Sequence, residues 1–307
     1  MSPEGVKSEN GSMSIIQDRD AYPLHIIRFK QSPLAFHKHE FDELVVTLKG
    51  KGVHCTANED YEIHAGDVFF IKPGVSHGYR DTDGLEIVNI LYYPEKLGIP
   101  LRWLRESAGY RAFFELEPES RRKLSFKGRL TLGLEELETV ERMLCDMESS
   151  LAGRSGPGLF SAIAALMKLL TLLSMLYERG GSPSAVHLVR IGRTVAFMEG
   201  TYKRKVSLEE LAKVSRMSKS SLIREFRRLT GTTPVDYLLR LRLRKASALL
   251  TSGDVSIGEA ALRNGFTDGN YFARQFKRFT GLSPRAYKKL AGNGADASCK
   301  LSSFTQL

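Results

Sequence analysis

Residues 36–50, FHKHEFDELVVTLKG, place two histidines and a glutamate close together as His37-x-His39-x-x-x-Glu43. His77 follows in the stretch GDVFFIKPGVSHGYRD. Imidazoles combined with a carboxylate suit zinc, iron, manganese or nickel. The same side chains suit a hydroxyl-rich ligand, which needs several placed hydrogen bonds. The motif therefore indicates a polar pocket, and on its own it leaves both a metal and a metal-free ligand open.

The elements around these residues read as short strands. Residues 24–92 contain LHIIRFK, ELVVTL, GVHCTA, VFFIK and GLEIVNILYY, which are rich in β-branched and aromatic residues. Between them stand KGKG, NED, HAGD and DTDG, which are turn sequences. This spacing predicts a small β-barrel or jelly roll. His54 and His64 are expected at turns or on the surface and not as ligands.

Two long helices are predicted after the strands. Residues 132–153 and 158–181 both show apolar residues at helical spacing. The stretch 159–177 approaches the composition of a membrane span, but Lys168 lies near its centre and serines and threonines interrupt it. A buried or dimer-forming helix is the favoured interpretation, and no membrane partner is expected.

The charge of the chain is divided unevenly. Its 307 residues carry a net charge of +10, yet residues 186–290 hold 22 lysines and arginines against 8 acidic residues. The remainder is slightly acidic. A basic C-terminal third joined to an acidic body is typical of a nucleic-acid-binding domain. The three cysteines fit neither a disulfide framework nor a zinc finger, and the polar N-terminus is not a secretory signal, so a cytoplasmic location is expected.

The basic third contains an internal repeat. Residues 223–238 align with 273–288 at an offset of 50, and 207–222 align with 256–272 at an offset of 49. The identical positions of the first alignment are Arg224/Arg274, Phe226/Phe276, Arg228/Arg278, Thr230/Thr280, Gly231/Gly281, Pro234/Pro284 and Tyr237/Tyr287. Two copies are too few for a solenoid, so they indicate two copies of one small DNA-reading unit.

Each copy has the pattern of a helix-turn-helix. In the first copy, Ser207 and Glu210 have the spacing of a capping box, and a second helix is predicted from about Lys219 to Leu229 after the break at SRMS. The second helix of such a motif enters the major groove. Its polar side carries Ser220, Ile223, Arg224, Arg227 and Arg228, and the second copy carries Asn270, Arg274, Lys277 and Arg278. A helix over 234–250 is expected to hold the two reading helices about one DNA turn apart.

Residues 187–290 resemble the DNA-binding domain of the AraC/XylS family of bacterial transcription regulators throughout their length. In that family the first halves of both reading helices touch bases. By position, the resemblance nominates Ser220, Ile223, Arg224 and Arg227 in the first unit and Gly269, Asn270, Ala273 and Arg274 in the second. Arginine and asparagine are the side chains best suited to base readout.

Residues 24–92 resemble the two cupin motifs, with His37, His39, Glu43 and His77 at the four usual metal-ligand positions. Lys72 and Asp81 depart from the cupin pattern. Cupin-fused regulators of this family use the barrel as a sensor, commonly for a sugar, and residues 36–117 are most similar to the L-rhamnose regulators. The resemblance implies a ligand pocket without a cofactor, with a divalent transition metal at the same residues as the alternative. Its apolar floor is expected from Phe41, Phe70 and Tyr79.

The predicted fold is α+β in two domains, with an N-terminal cupin-like β-barrel and an all-α double helix-turn-helix domain. The predicted segments are a disordered tail (1–20), the ligand-sensing barrel (21–130), a helical dimerisation and transmission segment (131–180), a linker (181–186), the DNA-binding domain (187–290) and a second tail (291–307).

The predicted function is a sugar-responsive transcription regulator of a carbohydrate-utilisation operon. Its expected partners are an operator, a sugar effector, a second copy of the chain and, for an activator, RNA polymerase. The alternatives are a metal-dependent cupin enzyme with a DNA-binding tail and an architectural DNA binder.

Overall fold

The structure, a computed structural model, describes residues 23–119, 129–180, 183–252 and 255–291. The chain forms two compact units, with the boundary between Arg193 and Thr194. The predicted tail at 1–20 lies outside the described residues, as does the predicted tail at 291–307 except for residue 291.

The first unit is built on an antiparallel sheet. Its strands are β1 (Leu24–Lys30), β2 (Leu34–His37), β3 (Asp42–Thr56), β4 (Asp60–His64), β5 (Asp67–Ile71), β6 (His77–Tyr92) and β7 (Leu130–Thr131). The main order is β1-β6-β3-β5-β7, while β2 also pairs with β6 and β4 also pairs with β3. Buried apolar side chains from four of these strands form a core under the sheet: Val45, Tyr61, Ile63, Phe69, Ile71, Tyr79, Leu85 and Ile87.

Two of the predicted turns are bends within long strands. KGKG lies inside β3 and DTDG lies inside β6, where the register between the two strands shifts repeatedly. Gly50 and Gly84 have positive φ values of 71° and 57°, which glycine adopts without steric cost. A Cβ at Gly50 would collide with the backbone of Gly84, so the bend needs glycine there. The prediction of separate short strands on either side of these turns is therefore wrong.

The bends curl the sheet around a pocket. His77 pairs with Thr56 at the far end of β3, while Glu43 is at the start of that strand. Nevertheless, His77 Nε2 lies only 3.5 Å from Glu43 Oε2. The two ends of β3 therefore approach the same pocket, as the predicted cupin-like architecture requires.

Helices complete the first unit. They are α1 (Pro94–Leu97), α2 (Leu101–Leu104), α3 (Ala108–Tyr110), a π-helical segment (Arg111–Leu116), α4 (Leu134–Leu151) and α5 (Gly156–Arg179). The two helices predicted over 132–153 and 158–181 are confirmed as α4 and α5. Among the described residues, α5 alone has the length and apolar composition of a membrane span, but seven of its residues are buried within the unit.

The predicted linker is largely helical. Helix α6 runs from Pro183 to Thr201, so the prediction of a linker is wrong for residues 183–186. Its Ser-Pro sequence resembles a loop, but proline is also favoured in the first turn of a helix. The boundary between the compact units falls within α6, beyond the predicted start of the DNA-binding domain at residue 187.

The second unit is all-helical. After the end of α6 it contains α7 (Leu208–Ser215), α8 (Lys219–Thr230), α9 (Pro234–Thr251), α10 (Ile257–Arg263), α11 (Gly269–Thr280) and α12 (Pro284–Ala291). The sequence repeat is a structural repeat, because α8 and α11 both end at a glycine with φ of 75°, Gly231 and Gly281. The predicted pair of helix-turn-helix units is confirmed.

Candidate nucleic-acid interface and ligand pocket

Helices α8 and α11 each bury one face in the second unit. Leu222, Phe226 and Leu229 of α8 are buried, as are Phe272, Phe276 and Thr280 of α11. Leu222 and Phe226 correspond to Phe272 and Phe276 in the repeat. Leu229 and Thr280 correspond to half-buried residues, Phe279 and Thr230. The opposite faces of both helices are therefore available to a ligand.

The predicted DNA-contacting residues lie on those opposite faces. Eight of them are exposed: Ser220, Arg224, Arg227, Arg228, Gly269, Asn270, Arg274 and Lys277. Ile223 and Ala273 are half-buried at the edge of the face, in equivalent positions. Sequence reasoning missed Tyr271, which is 41% exposed in the first turn of α11. The position of Tyr271 next to Asn270 in the sequence could have indicated that it is a candidate DNA contact.

The two reading faces differ in the partners of their arginines. Arg228 Nε donates to Glu225 at 2.8 Å, and Arg224 Nε lies 3.3 Å from the other oxygen of the same carboxylate. The corresponding residue of α11 is Gln275, which is uncharged. Arg274 and Arg278 therefore have no carboxylate at the equivalent position. The net charge is nevertheless the same, because α8 has four basic residues and one acidic residue and α11 has three basic residues.

Side-chain caps define where both reading helices begin. Ser218 Oγ accepts a hydrogen bond from the backbone N–H of Ser221 at 3.2 Å, and Asp268 Oδ1 accepts one from Tyr271 at 2.9 Å. Such caps satisfy N–H groups that have no partner within the helix. The pKa of Asp268 is lowered, mainly by its hydrogen bond from the Tyr271 backbone. The first turn of each of these helices is therefore fixed in both copies.

Helix α9 separates the two reading helices. Its 18 residues span about 27 Å at the usual rise of an α-helix. Arg242 of α9 donates through Nε to the carbonyl oxygen of Tyr202 and through Nη2 to that of Arg204, both at 2.7 Å. These bonds attach α9 to the segment after α6. A rigid spacer of this length supports the prediction that the units read successive major grooves.

In the first unit, the predicted pocket residues surround a cavity of about 240 Å³. The side chains of His37, His39 and Glu43 line it, and His77 is completely buried behind them. Two of the predicted floor residues, Phe41 and Tyr79, also line this cavity. Asn89 lines this cavity as well, although sequence reasoning missed it because it stands in an apolar run. The buried Oδ1 of Asn89 has no hydrogen-bond partner.

Glu43 is the centre of the polar cluster. Its Oε2 lies 2.6 Å from His39 Nε2 and 3.5 Å from His77 Nε2. Burial alone would raise the pKa of Glu43, but hydrogen bonding and charge from His39 and His77 hold it at about 2. Desolvation lowers the pKa of the half-buried His37, whose ring centroid is 4.2 Å from that of His77. The cluster thus holds an ionised carboxylate among imidazoles.

The backbone fixes the orientation of all three imidazoles. Each Nδ1 is within hydrogen-bond distance of a carbonyl oxygen: His37 with Ala35 at 3.2 Å, His39 with Phe41 at 2.9 Å and His77 with Val75 at 3.1 Å. A carbonyl oxygen can only accept, so each Nδ1 carries a proton. Each Nε2 is an acceptor when its ring is neutral and a donor when its ring is charged. The cluster therefore fits a bound cation as well as it fits a hydroxyl donor.

Comparison with known proteins identifies a domain family in each of the two units. A helix-turn-helix domain family matches residues 211–290, and an AraC-like ligand binding domain family matches residues 24–158. The HTH-type transcriptional activator RhaS of Klebsiella pneumoniae is 32% identical over 84% of this chain and 88% of its own length. The chain belongs to the AraC family of transcription regulators.

Other relatives are similar to this AraC-family chain. The HTH-type transcriptional activator RhaR of an Enterobacter species is 28% identical over 84% of this chain and 88% of its own. The crystallised DNA-binding domain of AdpA, in complex with a target DNA, is 33% identical over 33% of this chain and 90% of that domain, with a TM-score of 0.32. This AraC-family chain is a DNA-binding transcription regulator and not an enzyme.

A second cavity lies near the first in the AraC-like ligand binding domain. It measures about 300 Å³, and its lining includes His54, Tyr61 and Phe70, so Phe70 belongs to this cavity and not to the predicted floor. The placement of His54 at a turn or on the surface is wrong, because β3 continues through it and turns its ring inward, with 1% exposure. The ring centroid of His54 is 5.4 Å from that of His77. His64 is exposed, as predicted.

Proposed function

We propose that this AraC-family regulator responds to a sugar bound beside His37, His39, Glu43 and His77, and that it controls a carbohydrate-utilisation operon. The main supporting observation is the partnerless Oδ1 of Asn89, buried at the same cavity as the histidine Nε2 atoms. A sugar hydroxyl can donate to such acceptors, and the rings of Phe41 and Tyr79 supply an apolar floor. L-Rhamnose is the first sugar to test, because the chain resembles the L-rhamnose regulators.

Sugar titration by calorimetry tests the effector site. His77→Ala should weaken sugar binding by about 1–3 kcal/mol, since it leaves a polar group unpaired in a buried site. His64→Ala, on the exposed face of β4, is the matched control and should bind the sugar as the wild type does. Both variants should keep operator affinity in the absence of sugar. Equal sugar affinity in all three proteins would contradict this site.

We also propose that the regulator forms a homodimer through α5. One face of that helix carries side chains that remain exposed at helical spacing: Phe160, Ala164, Met167, Thr171 and Met175. Phe160 is 77% exposed, which is unusual for a side chain of this size. Spacings of three and four residues are those of helices that pack against each other.

The oligomeric state measured by sedimentation tests this dimer. Met167→Glu places a charge in the stripe and should shift the chain toward the monomer. Lys213→Glu also introduces a negative charge at an exposed position, but on α7 and not on α5, and should leave the dimer intact. A wild-type chain that is monomeric at micromolar concentration would contradict the proposal.

Two further proposals follow from the relatives. Both RhaS and RhaR are named transcriptional activators, which supports activation and a contact with RNA polymerase for this chain. An operator-binding protein works where the chromosome is, which supports a cytoplasmic location. Transcription in vitro with purified polymerase, with and without the regulator, tests the first of these.

A further inference from the structure

The turn between α7 and α8 contains an arginine in an unusual backbone conformation. Arg216 has φ of 54° and ψ of 46°, in the left-handed region. Residues other than glycine, asparagine and aspartate rarely adopt this region, because their Cβ comes too close to the backbone carbonyl oxygen. Among the described residues of the second unit, Arg216 is the only residue other than glycine with a positive φ. The turn that leads into the first reading helix therefore holds a strained residue.

The second copy of the repeat makes the same turn with a glycine. Arg216 corresponds to Gly265, which has φ of 81°. The N–H group of the next residue donates to the equivalent carbonyl oxygen in both copies, at 3.0 Å from Met217 and at 3.1 Å from Phe266. Glycine adopts this conformation without steric cost, so the formation of the turn does not require an arginine.

The side chain of Arg216 is not used within the fold. The residue is exposed, and its guanidinium makes no hydrogen bond or ion pair with any residue that the structure describes. Lys213 and Lys219 are exposed on either side of it in the sequence. The corresponding residues of the second copy are Leu262 and Gly269, which are uncharged. The turn of the first copy is therefore the more basic of the two.

We propose that Arg216 contacts a DNA phosphate at the edge of the major groove that α8 enters. In a helix-turn-helix the second helix lies in the groove and the first helix crosses the sugar–phosphate backbone, so the turn between them lies near phosphates. The guanidinium presents its N–H donors in a rigid fork that matches the oxygens of a phosphate. Such a contact positions the reading helix without reading a base. The strain at Arg216 then serves DNA binding and not folding.

Arg216→Gly should weaken DNA binding without lowering the stability of the protein. Loss of one phosphate contact should reduce operator affinity roughly tenfold near 0.1 M salt and reduce the slope of log affinity against log salt concentration by about one. The loss should be equal for all base sequences, because the contact is to the backbone. The midpoint of thermal unfolding should stay at or above that of the wild type, because glycine relieves the left-handed strain.

Three further variants of the full chain separate charge from backbone flexibility. Arg216→Gln removes the charge but keeps the left-handed strain, and it should lose as much affinity as Arg216→Gly. Arg216→Lys keeps the charge and should keep the salt slope of the wild type. Arg142→Gln removes an exposed positive charge from α4 of the first unit and should leave DNA binding unchanged.

Wild-type affinity and salt slope in Arg216→Gln would overturn the proposal. A loss of affinity in the glycine variant alone would also overturn it, because that loss would come from a more flexible turn. A loss confined to one operator sequence would show that Arg216 reads a base, and would equally contradict a phosphate contact. Fluorescence anisotropy with labelled operator and with a scrambled duplex, at several salt concentrations, measures all of these quantities.

Discussion

Gly192 of α6 lies so close to the carbonyl oxygen of Ala108 that a Cβ at position 192 would be 2.5 Å from that oxygen. Gly109, the residue after Ala108, lies equally close to α5, because a Cβ at position 109 would collide with the carbonyl group of Ser174. Helix α3 is therefore packed between α5 and the first part of α6 through two glycines. Helix α6 continues beyond Gly192 across the boundary between the two compact units.

Gly192→Ala should destabilise the first unit by about 1–3 kcal/mol, because the added methyl group has no space. Gly200→Ala is the matched control on the same helix, where an added Cβ meets nothing within 4 Å. The control should be neutral or stabilising by up to about 1 kcal/mol. Urea unfolding, followed by circular dichroism and by the fluorescence of the single tryptophan, Trp103, measures both. Equal shifts in the two variants would contradict the packing.

Arg224→Ala and Arg274→Ala should each weaken binding to a selected operator by about 1–3 kcal/mol and relax base preference at one step. Both side chains are exposed at equivalent positions of the two reading helices. Competition binding against a randomised DNA library measures affinity and preference together.

Arg263→Ala provides the control for charge, because Arg263 is on α10 and pairs with Glu259. Loss of this positive charge should change the affinity for DNA equally for all base sequences. It should also change the dependence of DNA binding on salt concentration. A double variant at positions 224 and 274 with wild-type affinity and preference would show that α8 and α11 do not read the bases.

The two helix caps should respond differently to pH. Folding lowers the pKa of Asp268 below its ordinary value of 3.8. Its stabilising contribution is therefore complete above that value and is lost as the pH falls through the lower, folded-state pKa. Ser218 occupies the same position in the first unit and does not titrate, so Ser218→Ala should cost about 0.5–2 kcal/mol at every pH.

Thermal unfolding from pH 2 to pH 6 separates the caps. Asp268→Asn preserves a cap without a titrating group, so its stability should depend less on pH than that of wild type. An unchanged pH dependence in Asp268→Asn would show that the carboxylate does not contribute in this way.

Local signals predicted the second unit well. The cap at Ser207 and the start of α8 at Lys219 both depend on neighbouring residues, and the structure confirms them. The bends in β3 and β6 were not predictable in this way. They require Gly50 and Gly84 to meet across the sheet, which is a long-range relationship. The ring of His54 points inward because β3 continues through the bend at Gly50.

The candidate pocket was predicted in part. The spacing of His37, His39 and Glu43 and the resemblance to the cupin motifs predicted a cluster that includes His77, and the structure brings His77 to the other residues from another strand. The Nδ1 contacts that fix the imidazoles depend on backbone geometry, which spacing does not specify. Asn89 was hidden because it stands in an apolar run, where its burial at the cavity cannot be read from the residue types alone.

Operator binding by the full chain, with and without L-rhamnose and a panel of other sugars, tests the central claim most directly. The account predicts that one sugar changes operator affinity by about 1–3 kcal/mol. A fragment beginning at residue 183, which keeps α6 whole, should bind the operator but ignore the sugar. A full chain whose operator affinity responds to none of the sugars, or a fragment that retains the response, would contradict the account.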